Sequence, residues 1–398
     1  MNFNEAFEKY RANTASEEEI RFVEAEIEKN RLIGDYLEEQ SGFALPQTLP
    51  PMQADGDWKR IRRAVKRRSI VLVTSSVAIL LALLLAFQFV GLPLLNKLYY
   101  DPTTHRYNEF IGDFELYLMV YTNLHFPGLH QLNSSSKNTG IGKYSLSLPR
   151  YDSLTGSGSE KIFSGSITRG KLSLPEDFWR GYPYANSFSY GDSSVSPPSG
   201  EDLRSMLGYL KTLPDYLRAE VYLSFDRDLT ALELAGLLQK YPDTAFVWLA
   251  IRSVEPGQQL HPAIGFGPTG LMVYLDEINE SYPDFQIHGA IDNIPDTSAL
   301  AALYESHFQA MLKFQLDHPD IAQARERAGA ANALELHRLY YQGVSQYIKQ
   351  NGLNSYGVVM VGSCAEIVKL AAENPFICEI QLRNLALNTS PPEEPETP

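Results

Sequence analysis

From Ile70 to Val90 the chain reads IVLVTSSVAILLALLLAFQFV, a charge-free run in which 14 residues are Ile, Leu, Val or Phe. Each of these favours insertion into a bilayer by roughly 0.3 to 0.6 kcal/mol, which outweighs Thr74, Ser75, Ser76 and Gln88. At about 1.5 Å of rise per residue the run crosses a hydrocarbon core of about 30 Å, so a transmembrane helix is predicted over 69–95.

Ahead of it the apolar period is helical. Phe3, Phe7 and Tyr10 fall on one face of a short helix that breaks near Asn13. Ser16-Glu17-Glu18-Glu19 is a capping box, and the helix it opens places Ile20, Val23 and Ile27 on one side, with Phe22, Ile33 and Tyr36 on the other. About 40 residues cannot bury two apolar faces alone, so these helices fold back on each other or dock on a partner. Residues 41–57, with three prolines and two glycines, read as a tether reaching the membrane at Trp58. Tyr99 and Tyr100 suit the opposite interface.

After the span the period changes. Short alternating stretches at Lys143–Leu148 and Lys161–Ser164 predict antiparallel strands, and Ser193–Pro198 a loop. Ala219–Phe225, Thr230–Gln239 and Ala245–Ile251 form a β-α-β unit. Tyr356–Val361, Ala365–Glu373 and Phe376–Leu382 form another. Ser298–Lys349 reads mostly as helix, Asn351-Gly352 as a turn, and TSPPEEPETP as a disordered acidic tail. The fold class is α+β: a short cytoplasmic helical segment, one transmembrane helix, and an extracytoplasmic mixed-sheet domain containing two β-α-β units. The expected boundaries are 1–57 for the helical segment and tether, 58–68 for a basic juxtamembrane segment, 69–95 for the span, 97–388 for the outer domain and 389–398 for the tail.

Charge orients this plan. The net charge is −14, but residues 1–57 hold 13 acids and 5 bases, residues 58–68 hold 7 bases and no acid, and residues 69–96 hold no charge. The basic run before the span puts the N-terminus in the cytoplasm and the large domain outside. A cleaved signal peptide would need a 68-residue charged region and a small-residue cleavage site that is not there. Both cysteines, Cys364 and Cys378, then lie outside, where either a disulfide or two buried thiols is possible.

Candidate chemistry changes little. Gly265, Gly267 and Gly270 match Gly-x-Gly-x-x-Gly but enclose Pro268 and lack the strand and acid of a dinucleotide site. Gly165–Lys171 lacks the Ser or Thr of a phosphate loop, and Ser134 with Lys137 has no partner motif; both read as loops. His125 and His130 belong to no metal-binding pattern and read as surface-loop residues. No catalytic site, metal or cofactor is expected.

The chain resembles the bacterial membrane-bound anti-sigma factors of the sigma-factor regulator family, such as negative regulators of extracytoplasmic-function sigma factors in bacilli. The stretches that carry the likeness are Phe3–Glu39, Trp58–Arg68, LKTLPDYLRAEVYLSFDR (Leu210–Arg227), Val247-Trp248, and NGLNSYGVVMVGSCAEIVKL (Asn351–Leu370). The resemblance implies that the cytoplasmic helices bind a sigma factor and hide its surfaces for polymerase and promoter, under control of the outer domain during cell-envelope stress. The implied partners are that sigma factor, the membrane and, as a further candidate, a second membrane protein, with no direct nucleic-acid contact. The zinc site of some anti-sigma domains is ruled out by the lack of any His before His105 or Cys before Cys364. Phe3, Phe7, Tyr10, Ile20, Val23 and Ile27 are the candidate partner contacts; the same spacing also fits a small core of the segment itself. The rival reading is a membrane-anchored envelope-binding or envelope-modifying protein.

Overall fold

The structure, a computed structural model, describes residues 2–41, 56–96, 98–107, 110–131, 133–156, 160–179, 188, 200–255, 258, 263–271, 276–287, 294, 296–326 and 333–387. It divides into two units, Met1–Leu85 and Ala86–Pro398. The predicted loop at Ser193–Pro198, the acidic tail and most of the tether lie outside the described residues.

In the first unit, α1 (Phe3–Arg11) starts at Asn2, whose side chain accepts from the Asn4 amide, and the chain reverses at Asn13, which adopts φ +52°. The capping box forms: the Ser16 amide donates to the Glu19 carboxylate at 2.9 Å and the Glu19 amide to Ser16 Oγ at 3.4 Å. It opens α2 (Glu17–Ser41), which runs through Gly34. The third helix, α3 (Gly56–Ala86), begins ahead of the basic run, so the juxtamembrane bases continue the helix of the span. Arg62–Gly91 is long and apolar enough to cross a membrane, and its side chains, such as Leu72 and Leu83, face outward.

The second unit opens with a π-helical turn (Phe87–Gly91) and α4 (Leu92–Asn96). Then comes α5 (Asp113–His125), in which 11 of 13 residues are buried. Apolar on every side, it carries no amphipathic stripe by which its sequence would announce a helix. The first sheet is a meander of β1 (Leu129–Gln131), β2 (Ser135–Gly140), β3 (Lys143–Asp152), β4 (Lys161–Thr168) and β5 (Lys171–Ser173). The long β3 pairs with both β1 and β2 on one edge and with β4 on the other.

Next come α6 (Gly200–Leu210), β6 (Leu217–Thr230), α7 (Ala231–Lys240), β7 (Ala245–Ile251) and β8 (Gly265–Phe266). The helices α8 (Asp276–Ser281), α9 (Thr297–Asp317), α10 (Pro319–Glu326) and α11 (Ala333–Asn351) follow, then β9 (Asn354–Ser363), α12 (Cys364–Glu373) and β10 (Ile377–Leu387). Both expected β-α-β units are present, and both helices start in capping boxes, Thr230 with Glu233 and Ser363 with Glu366.

The sheet they build is ordered β10-β6-β9-β7-β8. Each unit's two strands run parallel but stand apart, because a strand of the other unit lies between them. The mixed sheet expected from the sequence is therefore one whose described neighbours all pair antiparallel. This interleaving is the split β-α-β arrangement of ferredoxin-like folds, with α8 to α11 inserted between the second and third strands.

Alternation along the strands makes two apolar faces. Val221, Leu223, Phe225, Leu249, Ile251, Val358 and Met360 pack with Leu234 and Leu237 of α7 and Ile367 and Leu370 of α12 in the main core. Tyr222, Trp248, Ala250, Tyr356 and Val359 form a second cluster on the other face, around Phe188. Gly265 is required by close approach, since a Cβ there would run into the Leu249 carbonyl and the Trp248 ring. Gly265→Ala is expected to cost about 1–3 kcal/mol through overpacking at this edge, measured by thermal unfolding of the detergent-solubilised protein.

Three local expectations are corrected. Gly165–Lys171 is the hairpin joining β4 to β5, turned by Arg169 and Gly170 at φ +50° and +76°, and Lys137 belongs to β2. His125 is the buried last residue of α5, where its ring bonds the Ala263 carbonyl at 3.2 Å and the Tyr341 hydroxyl at 2.6 Å.

Candidate functional site

The sequence-predicted contact residues converge in the α1–α2 hairpin. Phe3 stacks on Phe7 with ring centroids 5.5 Å apart and meets Phe22 edge-on at 6.4 Å. Ala6 and Val23 are wholly buried between the helices, while Phe3, Phe7, Tyr10, Ile20 and Phe22 are half-buried around them. Ile27 is 45% exposed, so it stands outside the small core that Val23 anchors. Lys9 Nζ reaches across to the Glu19 carboxylate at 2.8 Å. That bond, helped by the Ser16 donors, holds the Glu19 carboxyl down at about 2.

The two helices differ in length by a factor that matters. At about 1.5 Å per residue, α1 extends about 14 Å and α2 about 38 Å. Only the first turns of α2 can be covered by α1. Beyond that cover Leu32, Ile33 and Tyr36 are exposed on one face of α2, and Ile27 is exposed on the opposite one. The hairpin thus satisfies the faces around Val23 and leaves an apolar strip on the distal half of α2.

In the second unit a buried ion pair lies on the sheet face that carries Tyr222. Glu220 is 1% exposed, and Arg383 Nη1 donates to its Oε1 at 2.8 Å and to the Pro127 carbonyl at 3.3 Å. Arg383 sits where the register of β10 against β6 shifts between Leu382 and Asn384, a bulge that re-aims its side chain. Burial pushes the Glu220 carboxyl up to about 7 against the pull of Arg383, and its Oε2 has no hydrogen-bond partner. Nothing in the spacing of the sequence points to this pair, because it depends on one extra residue in one strand.

Nearby, a cleft of about 800 Å³ is lined by His130 and Tyr151 from the first sheet, by Ser153 just after β3, by Tyr241 to Val247, and by Tyr304 of α9. The His130 ring stacks on Tyr151 at 4.7 Å and bonds Ser153 Oγ at 2.7 Å, and burial lowers its pKa to about 4, leaving it neutral near pH 7. Among the described residues no Lys or Arg lines the cleft. Its aromatic rings, hydroxyls and one carboxylate, Asp243, suit an uncharged polar ligand better than an anion. Cys364 and Cys378 are both free thiols, and burial raises Cys378 to about 11, so neither is poised as a nucleophile. Among the described residues no group of His, Cys, Asp and Glu could hold a metal ion.

A helical hairpin, a split β-α-β sheet and, among the described residues, one helix long and apolar enough to cross a membrane define the class: a two-unit protein with one candidate span. Residues 210–383, which run from the end of α6 into β10, match the family model described as sigma factor regulator C-terminal. The match supports a role in sigma-factor regulation in general terms, with a sigma factor as partner and a regulatory rather than an enzymatic character. No curated protein and no solved structure matches the chain.

Proposed function

We propose that the protein is a membrane-bound anti-sigma factor that holds an extracytoplasmic-function sigma factor on its cytoplasmic hairpin. The single observation that carries this is the apolar strip on α2, left uncovered by α1, in a chain whose residues 210–383 match a sigma-factor regulator model. The hairpin docks as a unit: Phe3, Phe7, Tyr10, Ile20 and Val23 hold it together and shape its surface, Leu32, Ile33 and Tyr36 meet the partner along one face of α2, and Ile27 adds a contact from the other. A segment with 13 acids and 5 bases complements the basic surface by which a sigma factor meets promoter DNA. The bases at 59–68 keep this end in the cytoplasm, and the larger unit outside reads envelope stress.

In a reporter strain for the cognate regulon, Ile33→Asp combined with Tyr36→Asp should raise expression to the level of a strain lacking the protein. Both positions are exposed, so the hairpin keeps its fold and the protein accumulates. Unchanged expression with normal protein levels would place the contact elsewhere.

A further inference from the structure

The first sheet has one cationic end. Residues 133–173 hold six bases and two acids, in a chain whose net charge is −14. Arg150 is buried and Lys161 is paired with Asp177 at 2.6 Å. The four that remain, Lys137, Lys143, Arg169 and Lys171, are exposed, and none has an ion-pair partner among the described residues.

The register places them together. Lys143 pairs with Thr168 and Thr168 with Lys171, so these two lysines share one row across three strands, with Cα atoms about 10 Å apart. Lys137 lies opposite Ser145, one step along the same outward face. Arg169 is in the β4–β5 turn, and its amide donates to the Gly142 carbonyl of the β2–β3 turn at 2.6 Å, which ties the two hairpin tips side by side. Between Gly140 and Gly142, Ile141 points outward at the tip. Asp101, a carboxylate that acts on Tyr144 of β3, is engaged by the Thr103 amide and hydroxyl at 2.9 and 2.7 Å.

These tips are held close to the membrane by the chain. Gly142 packs on the Tyr99 ring so tightly that a Cβ would overlap it. Tyr99 is eight residues beyond Gly91, where the apolar helix ends, and five of the intervening residues are helical in α4. At ordinary helical and extended rises that stretch reaches at most about 18 Å. The headgroup layer begins at the end of the hydrocarbon, and electrostatic attraction extends about 8 Å further at physiological ionic strength. Leu98, 74% exposed, precedes Tyr99.

We infer that the β2–β3 and β4–β5 tips form a membrane-docking edge, on which Lys137, Lys143, Arg169 and Lys171 bind the phosphates of anionic phospholipids while Ile141 and Leu98 enter the headgroup layer. Four unpaired cations in one place repel each other in solution, and an anionic bilayer is the counter-surface the chain keeps within reach. Each base near such a surface strengthens binding about fivefold, so removing all four weakens it by at least about 100-fold. Docking at this edge is independent of whether the hairpin binds a sigma factor.

The test uses the full chain in nanodiscs of phosphatidylcholine alone or with 30% phosphatidylglycerol, read by amide hydrogen exchange. Residues 137–143 and 168–171 should exchange more slowly in the anionic discs. The difference should vanish at 1 M salt and in the Lys137→Glu, Lys143→Glu, Arg169→Glu, Lys171→Glu variant, with exchange in β6 and β9 unchanged. Equal exchange in the two lipids would overturn the inference, as would protection that survives the four substitutions. So would protection that appears only when a soluble polyanion such as polyglycerol phosphate is added, which would assign the edge to a wall polymer instead.

Discussion

Val23→Asp is expected to abolish sigma-factor capture while leaving the protein in the membrane at normal abundance. Val23 is wholly buried between α1 and α2, next to Ala6 and the Phe3–Phe7–Phe22 ring cluster. A carboxylate there has no hydrogen-bonding partner within the core, and desolvating it costs several kcal/mol. A two-helix unit of about 40 residues has little stability to lose, so the hairpin opens. Co-purification of the sigma factor with the full-length protein reads the effect directly. Glu24→Ala, on the exposed side of α2 one residue away, provides the contrast and should bind as the parent does. Capture that survives Val23→Asp would mean that the partner recognises separate helices.

The second large effect is expected from Arg383→Ala. The substitution leaves Glu220 buried with no cation, a change that costs about 3–5 kcal/mol when the carboxyl must ionise. The pH dependence carries the signature. Burial raises the Glu220 carboxyl from the ordinary 4.5 to about 7 in the folded protein, so folding favours its protonated form. The stability linked to this group is fully present below about pH 4.5 and is lost as pH rises through about 7, by about 3 kcal/mol at the rate of about 1.4 kcal/mol per unit. Arg383→Ala should therefore resemble the parent near pH 4.5 and fall far below it at pH 8. Glu220→Gln, which keeps an oxygen for Arg383 and removes the titration, should flatten the dependence over that range. Thermal unfolding followed by tryptophan fluorescence across pH 4.5–8 measures all three proteins. A parallel shift of Arg383→Ala at every pH would show that Arg383 acts by packing on the Tyr222 ring, 5.7 Å away, rather than through Glu220.

What the sequence makes legible here is whatever local periodicity encodes. The span declares itself through a run without charge, α2 through Ser16 and Glu19, and the strands β6, β7 and β9 through β-branched and aromatic runs bounded by turns. The candidate partner contacts share a face in the sequence, but the division of that face between core and surface does not show there. It depends on α1 being shorter than α2, which decides that Val23 is covered and Ile27 is not. Strand order was hidden for a similar reason: two β-α-β units in sequence are compatible with a parallel sheet, and only the pairing of β6 with both β9 and β10 interleaves them. Helix α5 escaped notice because a helix buried on all sides has no stripe. The Glu220–Arg383 pair depends on a bulge, and the cationic edge on two hairpin tips meeting at Tyr99, neither of which any spacing of residues reveals.

The most direct test of the account is the isolation of the full-length protein, tagged at its C-terminus and extracted in mild detergent from its own host, followed by mass spectrometry of what remains bound. One extracytoplasmic-function sigma factor should be recovered in near-equal amount, and it should disappear when residues 2–41 are deleted. Recovery of no sigma factor with the intact protein, or recovery that persists without the hairpin, would contradict the assignment and favour an envelope-binding role for the outer unit.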